Sequence, residues 1–397
     1  MKSIKWIYNN SLFLITLFLF VFIPLYPKLP VIGVSHTWVY IRAEDFLVAF
    51  AGLVFISLLL TKKVTLKTPL TIPIFLFWLV GAVSTLFAIS YIFPNLANVF
   101  PNVALFHYFR RIEYLSLFFI GFFAIRSKKQ IPTVVFVLAI TLIAVFIYGL
   151  GQRLWEFPAY LTMNEEFAKG IPLKLSAASR IPSTFAGHYD LAAYLVMLIP
   201  IVGSMIFGFK KLYIKIFLLL SALSGLILLF MTASRVSFAV YLVTTTFLLI
   251  IQKQKKYIIP VVVVSIMLMS SFQGISQRFA STITEVDLVV DARSGKAVGI
   301  SKGTDKTGKI LIEEKQSTGE SLPQGSGFIS APSKQGSSAN KISYKRTKIQ
   351  AGQEITEVTD MEGNFVIKKA LAYDVSFTTR FQGQWPRATE AFDRSML

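Results

Sequence analysis

The sequence predicts an all-α polytopic membrane protein of about nine transmembrane helices, with a β-rich extracytoplasmic segment near its C-terminus. Composition is the first reason, because 54% of the 397 residues are hydrophobic and only 15% are charged. A soluble domain carries about 25% charged residues, and a disordered chain is poor in apolar ones. Charge distribution is the second reason, because residues 1–280 hold 24 Lys or Arg and 7 Asp or Glu, clustered between long apolar runs. Both ordinary soluble folds and disorder are therefore excluded.

Nine apolar stretches approach the length that a bilayer requires, which is about 20 residues of helix. We interpret the first as a membrane anchor rather than a signal peptide, because Tyr26–Pro30 follows it instead of a small-residue cleavage site. The predicted spans are Asn10–Leu25, Asp45–Leu60, Leu70–Ser90, Ile112–Ile125, Ile131–Gly149, Leu191–Phe207, Leu212–Met231, Val236–Ile251 and Tyr257–Phe272.

The connections between these spans differ in charge and so predict an orientation. One alternate set holds 14 positive residues and no acid, whereas the other is longer and mixes nine positive residues with acids. The positive-inside rule then places the N-terminus in the cytoplasm and residues 273–397 outside. The positive residues of the first set are Lys2, Lys5, Lys62, Lys63, Lys67, Arg126, Lys128, Lys129, Lys210, Lys211, Lys215, Lys253, Lys255 and Lys256.

Long polar segments divide the chain into a transmembrane domain, residues 1–272, and an outer segment. Within the first, a loop at about 151–190 joins the fifth and sixth spans and is longer than a plain turn requires. Residues 273–380 predict a β-rich or partly disordered segment, since turn-forming runs such as Pro323–Gly327 and Ser333–Asn340 separate short β-branched stretches. The predicted strands are Asp287–Asp291, Ala297–Ile300, Lys309–Glu313, Ile342–Arg346, Glu354–Thr359 and Asn364–Lys368.

Residues 381–397 predict an amphipathic helix. Trp385, Ala388, Ala391 and Phe392 fall near one of its faces. Because the chain stops directly after this pattern, we interpret it as the start of a missing C-terminal part.

The sequence does not contain the residues and motifs that several classes of chemistry require. The chain has no cysteine, and His36, His107 and His188 show no metal-ligand spacing. There is neither a phosphate-cradling Gly-rich loop ending in Lys-Ser/Thr nor a Gly-x-Ser-x-Gly elbow. The basic residues are scattered rather than gathered on one face, so no nucleic-acid partner is expected. Asp45 and Glu113 lie at span edges in this scheme, which leaves the span centres without acids and disfavours an ion-coupled transporter.

Three polar residues near predicted outer helix ends are candidate site residues. Arg235 lies in the tight turn Met231–Arg235, where a planar guanidinium suits a phosphorylated ligand, although an anchor to lipid phosphates is the alternative. Arg180 and His188 precede the sixth span, and His188 is either a general base or an interfacial hydrogen-bonding residue. Asp190 is interpreted as a possible cap of that span's helix.

Further charged residues have two open interpretations each. Arg380 and Arg387 flank the predicted C-terminal helix and either clamp an anion or remain solvated surface charges. Arg110 and Arg111, together with Glu113, are interpreted as a boundary group at the start of the fourth span.

Four short segments carry a resemblance to known proteins: Ile41–Asp45, Arg180–Leu195, Thr232–Arg235 and Arg380–Phe392. In these segments and their order the chain resembles the O-antigen ligase and polymerase family of bacterial membrane proteins. The resemblance covers most of the chain but not residues 281–370.

The resemblance implies a helical fold of the glycosyltransferase C superfamily in the bacterial cytoplasmic membrane. It implies glycan transfer from a polyprenyl-diphosphate-linked donor, such as undecaprenyl diphosphate, to a lipid, glycan or protein acceptor at the outer face of that membrane. The transfer would use no metal and no other cofactor. Carried over by position, Arg235 and Arg380 would hold the diphosphate, and Arg180 would be a third basic residue.

The sequence departs from the pattern of this family at two points. The family more often has Asn or Pro at the position of His188, and its candidate catalytic histidine follows a Gly-x-Gly segment beyond Leu397. We therefore expect the 397-residue chain to be inactive or incomplete as a glycosyltransferase.

Two other functions remain open at the level of sequence. One is a membrane transporter or exporter of an anionic or amphipathic solute. The other is a membrane-anchored protein whose β-rich segment binds a partner.

Overall fold

The structure is a computed structural model of the chain. It describes residues 2–37, 39–96, 98–162, 164–176, 179–271, 283–293, 297–304, 310–314, 328–330, 338–350, 353–373 and 389. The chain divides into two compact units, residues 1–275 and residues 276–397, and each is described by itself.

Helices make up most of the first unit. Each of the nine predicted spans overlaps one of them, while a short additional helix lies within the 151–190 loop. Short π and 3₁₀ turns follow α3 and precede α5 and α10. The helices are α1 (Lys2–Leu25), α2 (Ala43–Leu60), α3 (Thr71–Phe87), α4 (Pro101–Ala124), α5 (Ile131–Leu154), α6 (Glu165–Ala168), α7 (His188–Met205), α8 (Leu212–Met231), α9 (Arg235–Ile251) and α10 (Ile258–Ser271). A two-stranded ribbon, β1 (Pro30–Ile32) with β2 (Ile41–Arg42), precedes α2.

Five helical segments within the described residues are long and apolar enough to cross a membrane. The second of them is almost entirely exposed, with 6% of its apolar window buried, which is compatible with a surface that faces lipid. The chain is therefore largely helical and compatible with a membrane protein, whereas nine spans and their orientation stay predictions. The five segments are Ala43–Leu60, Thr71–Asn95, Lys128–Leu154, His188–Met205 and Leu212–Met231.

The fourth helix differs from its prediction. It begins at Pro101 rather than at Ile112, because proline at the first helical position favours a helix start and the residues after it continue the pattern. Arg110 and Glu113 therefore lie in the middle of α4, and the prediction that they start this helix is wrong. Their place relative to a membrane boundary stays a prediction, because α4 is not among the segments that are long and apolar enough to cross a membrane.

The helices pack around two apolar cores. One core joins α1, α2, α3 and α4, with the rings of Phe55 and Phe119 tilted against each other at a centroid separation of 6.5 Å. The other joins α5, α7, α8 and α9 around residues such as Leu142, Leu195 and Leu228, all fully buried. The first helix packs against α2, α4 and also α5, so it connects the two cores.

The second unit contains strands, which pair in the order β3-β4-β5-β7-β8-β6, with β3 also paired to β8. Two strands predicted separately, 354–359 and 364–368, form the single strand β8, and residues 338–340 of a predicted turn belong to β7. The reason is pairing on both edges, since β8 contacts β7 over its first part and β3 over its last. The strands are β3 (Ile283–Asp291), β4 (Ala297–Thr304), β5 (Ile310–Glu314), β6 (Phe328–Ser330), β7 (Ser338–Gln350) and β8 (Gln353–Tyr373).

Close packing of α8 against its neighbours depends on Gly225, and this gives a test of the second core. A Cβ atom at Gly225 would lie 3.0 Å from both Ile199 Cγ1 and Leu142 Cδ2. We expect Gly225→Leu to lower the free energy of unfolding by about 1–3 kcal/mol, because overpacking forces side chains from their rotamers. Thermal unfolding of the detergent-solubilised protein measures the change.

Gly203 on α7 provides the matched control, because a Cβ atom there meets nothing within 4 Å. Gly203→Leu adds the same side chain to a helix without a clash, so its unfolding temperature should not fall. Equal losses in the two variants would show that Gly225 is not a packing constraint.

Candidate functional site

The connection that enters α7 is buried although it is not helical. Ile181, Ser183 and Thr184 are each less than 5% exposed. Ser183 has a positive φ of 52°, which non-glycine residues adopt only when the surroundings hold them there. A buried loop needs partners for its backbone groups, so its hydrogen bonds decide whether it has one conformation.

Gln152 of α5 supplies two of these partners. Its Oε1 accepts the backbone N–H of Ser183 at 2.9 Å, and its Nε2 donates to the Ser183 carbonyl at 2.9 Å and to the Pro158 carbonyl at 3.1 Å. The Ser183 hydroxyl donates to the carbonyl of Val145 in the same helix at 2.7 Å. The loop is therefore fixed to one face of α5.

Two further bonds fix the same loop to other helices. The backbone N–H of Ile181 donates to the Met231 carbonyl at the end of α8, at 3.1 Å. The Thr184 hydroxyl donates to the Pro24 carbonyl in α1. Close approach to α5 also depends on Gly149, where a Cβ atom would lie 2.6 Å from Leu228 Cδ1 and 3.3 Å from Ile181 Cγ2. The connection thus joins the ends of three helices.

Arg180 is held at this junction by two side chains from the first turn of α7. Its Nη1 lies 2.6 Å from His188 Nε2 and donates to the Tyr189 hydroxyl at 3.1 Å, and its Cζ lies 5.7 Å from the centre of the Tyr189 ring. Its Nε and Nη2 have no hydrogen-bond partner among the described residues. The guanidinium of Arg180 is therefore held in place through Nη1, while its Nε and Nη2 edge makes no hydrogen bond to the described residues.

The contact with Arg180 defines what His188 can do in this arrangement. A guanidinium only donates, so His188 Nε2 is the acceptor and the ring proton is on Nδ1. A general base needs an available lone pair, and that of Nε2 is engaged. His188 is also only 8% exposed. The geometry therefore favours the hydrogen-bonding alternative over the general base, and His188 orients Arg180.

Asp190 lies in the first turn of α7, which begins at His188 after Gly187, so it is not the residue that caps the helix. Its carboxylate is within electrostatic reach of Arg42 and Lys28.

Arg235 is the first residue of α9. Three residues connect α8 to α9, and one of them, Ala233, has a positive φ of 53°. Thr232 and Ser234 of this turn are buried. The amino end of a helix carries partial positive charge, so Arg235 adds a full cation to a place that already favours anions. Met231, which begins the turn, is the residue bonded to Ile181, so the segments of Arg180 and Arg235 meet at one junction.

Arg380 and Arg387, and the helix predicted for 381–397, lie outside the described residues except for Thr389. Their proposed role as anion clamps therefore stays a prediction.

A network of ion pairs lies at the start of α2, and sequence reasoning did not select it. Lys28 Nζ donates to Glu44 Oε2 and, at 2.8 Å, to the Ile23 carbonyl; Arg42 Nη1 lies 3.4 Å from Glu44 Oε1. Burial lowers the pKa of Lys28, and the Glu44 carboxylate opposes that change. The available signal was the sequence Arg42-Ala43-Glu44-Asp45, which holds two of only seven acids among residues 1–280.

The network continues from α2 to α4. Asp45 Oδ2 accepts the backbone N–H of Arg42 at 2.8 Å and Arg110 Nη2 at 2.9 Å. Beside this pair, a cavity of about 430 Å³ lies between α2, α4 and residues 34–41, with Glu113 in its lining. Within the described part of the chain, the Glu113 carboxylate makes no ion pair or hydrogen bond.

No protein-family model, curated protein or solved structure matches this chain. The resemblance to O-antigen ligases and polymerases therefore depends on the short segments that carry it.

The buried pair of Lys28 and Glu44 predicts a strong and asymmetric effect of mutation. We expect Glu44→Gln to lower the free energy of unfolding by about 3–5 kcal/mol, because it leaves the Lys28 ammonium buried without its partner. Lys28→Met combined with Glu44→Gln should restore part of that stability, since no buried ammonium is then left without its partner and only the longer contact of Arg42 with Glu44 is lost. Thermal and denaturant unfolding in detergent distinguish the single from the double variant.

The exposed pair of Glu156 with Lys174, 2.7 Å apart, is the matched control. Its hydrogen bond lowers the pKa of Glu156 and raises that of Lys174, but both side chains are solvated. Glu156→Gln should leave stability unchanged. If the double variant at Lys28 and Glu44 is as unstable as Glu44→Gln, the charge explanation is wrong.

Proposed function

We propose that the protein binds the diphosphate of a polyprenyl-linked glycan donor at the outer face of the bacterial cytoplasmic membrane. Its proposed reaction is the transfer of that glycan to a lipid, glycan or protein acceptor. One observation carries the proposal, namely that Arg180 is fixed through Nη1 alone and keeps its Nε and Nη2 edge available. This edge matches two oxygens of a phosphate group in a bidentate arrangement.

Arg235 supports the same ligand from the other side of the junction. It stands at the amino end of α9, where the helix dipole and the side chain both attract negative charge. A departing polyprenyl diphosphate gains negative charge in the transition state, and fixed cations stabilise it there. The proposal assigns this stabilisation to Arg180 and Arg235, and extends it to Arg380 and Arg387 by resemblance alone.

Among the described residues of this junction, His188 is not available as a base for the acceptor hydroxyl, because its Nε2 accepts a hydrogen bond from Arg180. Donor binding can therefore be tested apart from transfer. Ligase, polymerase and protein glycosyltransferase share this donor and differ in the acceptor, so donor binding tests the proposal without a choice of acceptor.

Titration with undecaprenyl diphosphate tests the assignment of the two arginines. Wild-type protein in lipid nanodiscs should bind it, and Arg180→Ala or Arg235→Ala should weaken binding by roughly 10- to 100-fold, the equivalent of about 1.5–3 kcal/mol for a charged hydrogen bond. Arg180→Lys should also weaken binding, because an ammonium lacks the planar fork. Tryptophan fluorescence or thermophoresis reports the dissociation constant.

Arg126 provides a matched control, because it is an exposed arginine between α4 and α5 on the predicted cytoplasmic side. Arg126→Ala should bind the lipid as the wild type does. Unchanged binding by Arg180→Ala and Arg235→Ala, with intact folding, would refute the donor site.

A second candidate function is transport of an amphipathic solute, and Glu113 favours it. This acid is the thirteenth of the 24 residues of α4 and lines a cavity, which is where ion-coupled transporters place their acids. It shares no residue with the proposed donor site.

Transport has its own test in proteoliposomes without any lipid-linked donor. A proton gradient should drive accumulation of a dansyl-labelled alkyl solute, and Glu113→Gln should abolish that accumulation because the amide cannot exchange a proton. Fluorescence inside the vesicles measures uptake, with Glu166→Gln as the control. Uptake that matches protein-free vesicles would exclude this function.

A further inference from the structure

The cavity between α2 and α4, here called the α2–α4 cavity, has the size and lining of a ligand site. Its volume of about 430 Å³ is within the range of small-molecule sites, roughly 300–1,000 Å³. Its walls are mainly apolar, with Val48, Val103 and Ile112 among them. The polar and ionisable lining consists of Thr37, Asp45, His107, Arg110, Glu113 and Ser116.

Four of these polar side chains come from α4. His107, Arg110, Glu113 and Ser116 follow each other at intervals of three residues, so each is a neighbour of the next on the helix surface, and all four line the cavity. Opposite them, Asp45 stands at the start of α2 and Gly52 two turns further on. A Cβ atom at Gly52 would meet nothing within 4 Å, so open space adjoins this glycine.

The charges of the cavity do not cancel. The 2.9 Å pair of Arg110 with Asp45 matches one cation to one carboxylate. Glu113, one turn further along α4, is partly buried, and only its backbone carbonyl accepts a hydrogen bond, from Ser116 Oγ at 2.7 Å. With Glu113 ionised and His107 neutral, the described lining holds two carboxylates and one guanidinium, and the Glu113 carboxylate makes no ion pair with a described side chain.

The Glu113 carboxylate, which has no ion-pair partner among the described side chains, determines which kind of ligand the cavity favours. A partly buried charge is unfavourable unless a donor or a cation pairs with it. Anionic ligands are disfavoured by Glu113 and Asp45, and a polyhydroxylated ligand would leave most of its hydroxyls against apolar walls. A single cationic group on an apolar body matches both the charge and the walls, and Phe106 and Phe109 in the lining add ring faces that attract cations.

We propose that the α2–α4 cavity binds the primary ammonium group of an amphiphile. The Glu113 carboxylate accepts hydrogen bonds from the ammonium, and the apolar walls pack against the hydrocarbon. An aminophospholipid headgroup and a free organic amine share this chemistry. The proposal is independent of the proposed glycan transfer, because it uses no residue of the Arg180 junction.

The test titrates hexylammonium into the full chain in phosphatidylcholine nanodiscs, with hexanol as the neutral analogue. Wild-type protein should bind hexylammonium in a saturable manner and hexanol at least tenfold more weakly. Glu113→Gln, which keeps the shape of the side chain, and Gly52→Leu, which fills the open space, should each weaken hexylammonium binding at least tenfold. Glu166→Gln on α6 changes an equivalent charge elsewhere and should have no effect.

The lipid source is distinguished by replacing part of the phosphatidylcholine with phosphatidylethanolamine. If hexylammonium binding weakens as this lipid is added, the headgroup occupies the cavity; if it does not, the site selects free amines. Both results support an ammonium site. Equal binding of hexanol and hexylammonium, or unchanged binding by a folded Glu113→Gln variant, overturns it.

Discussion

The hydrogen bonding of the buried loop before α7 is the constraint on which the arrangement of the neighbouring helix ends depends. A non-helical segment away from water must find partners for its backbone groups, and a single glutamine supplies two of them. Gln152 bonds both the N–H and the carbonyl of Ser183, while Ile181 and Thr184 bond α8 and α1. Because these bonds join three helices, the positions of Arg180 and the turn before Arg235 follow from them.

Charge at the helix ends is organised by pairing rather than by solvation. Lys28, Arg42 and Glu44 form one group, and Asp45 both closes the start of α2 and holds Arg110 of α4. Such partly buried pairs are poor sources of net stability, but breaking one of them is costly. Of these pairs, that of Asp45 with Arg110 joins α2 to α4. The α2–α4 cavity lies beside this pairing, and Glu113 in its lining makes no ion pair with a described side chain.

The sequence alone was sufficient to predict where the long helices lie, but it did not predict where α4 begins. Hydropathy located all nine long helices of the described chain, because an apolar run of this length has few alternatives to a helix. It failed at α4, where His107, Tyr108, Arg110 and Arg111 interrupt the apolar pattern and conceal a helix that starts at Pro101. Strand boundaries near Gly363 were also misread, because pairing partners on both edges of β8 override a local turn signal.

The sequence by itself determined that the chain is largely helical and apolar, as in a membrane protein. It also selected Arg180, His188 and Arg235 as candidate site residues. Composition and charge clustering are sums over the chain, so they need no knowledge of contacts. Only the tertiary structure decided that His188 and Tyr189 hold one nitrogen of Arg180, and that Lys28 meets Glu44 across sixteen residues. It also decided that Glu113 lines a cavity without forming an ion pair with a described side chain. Partners of this kind are selected by packing between helices distant in sequence, which no local pattern encodes.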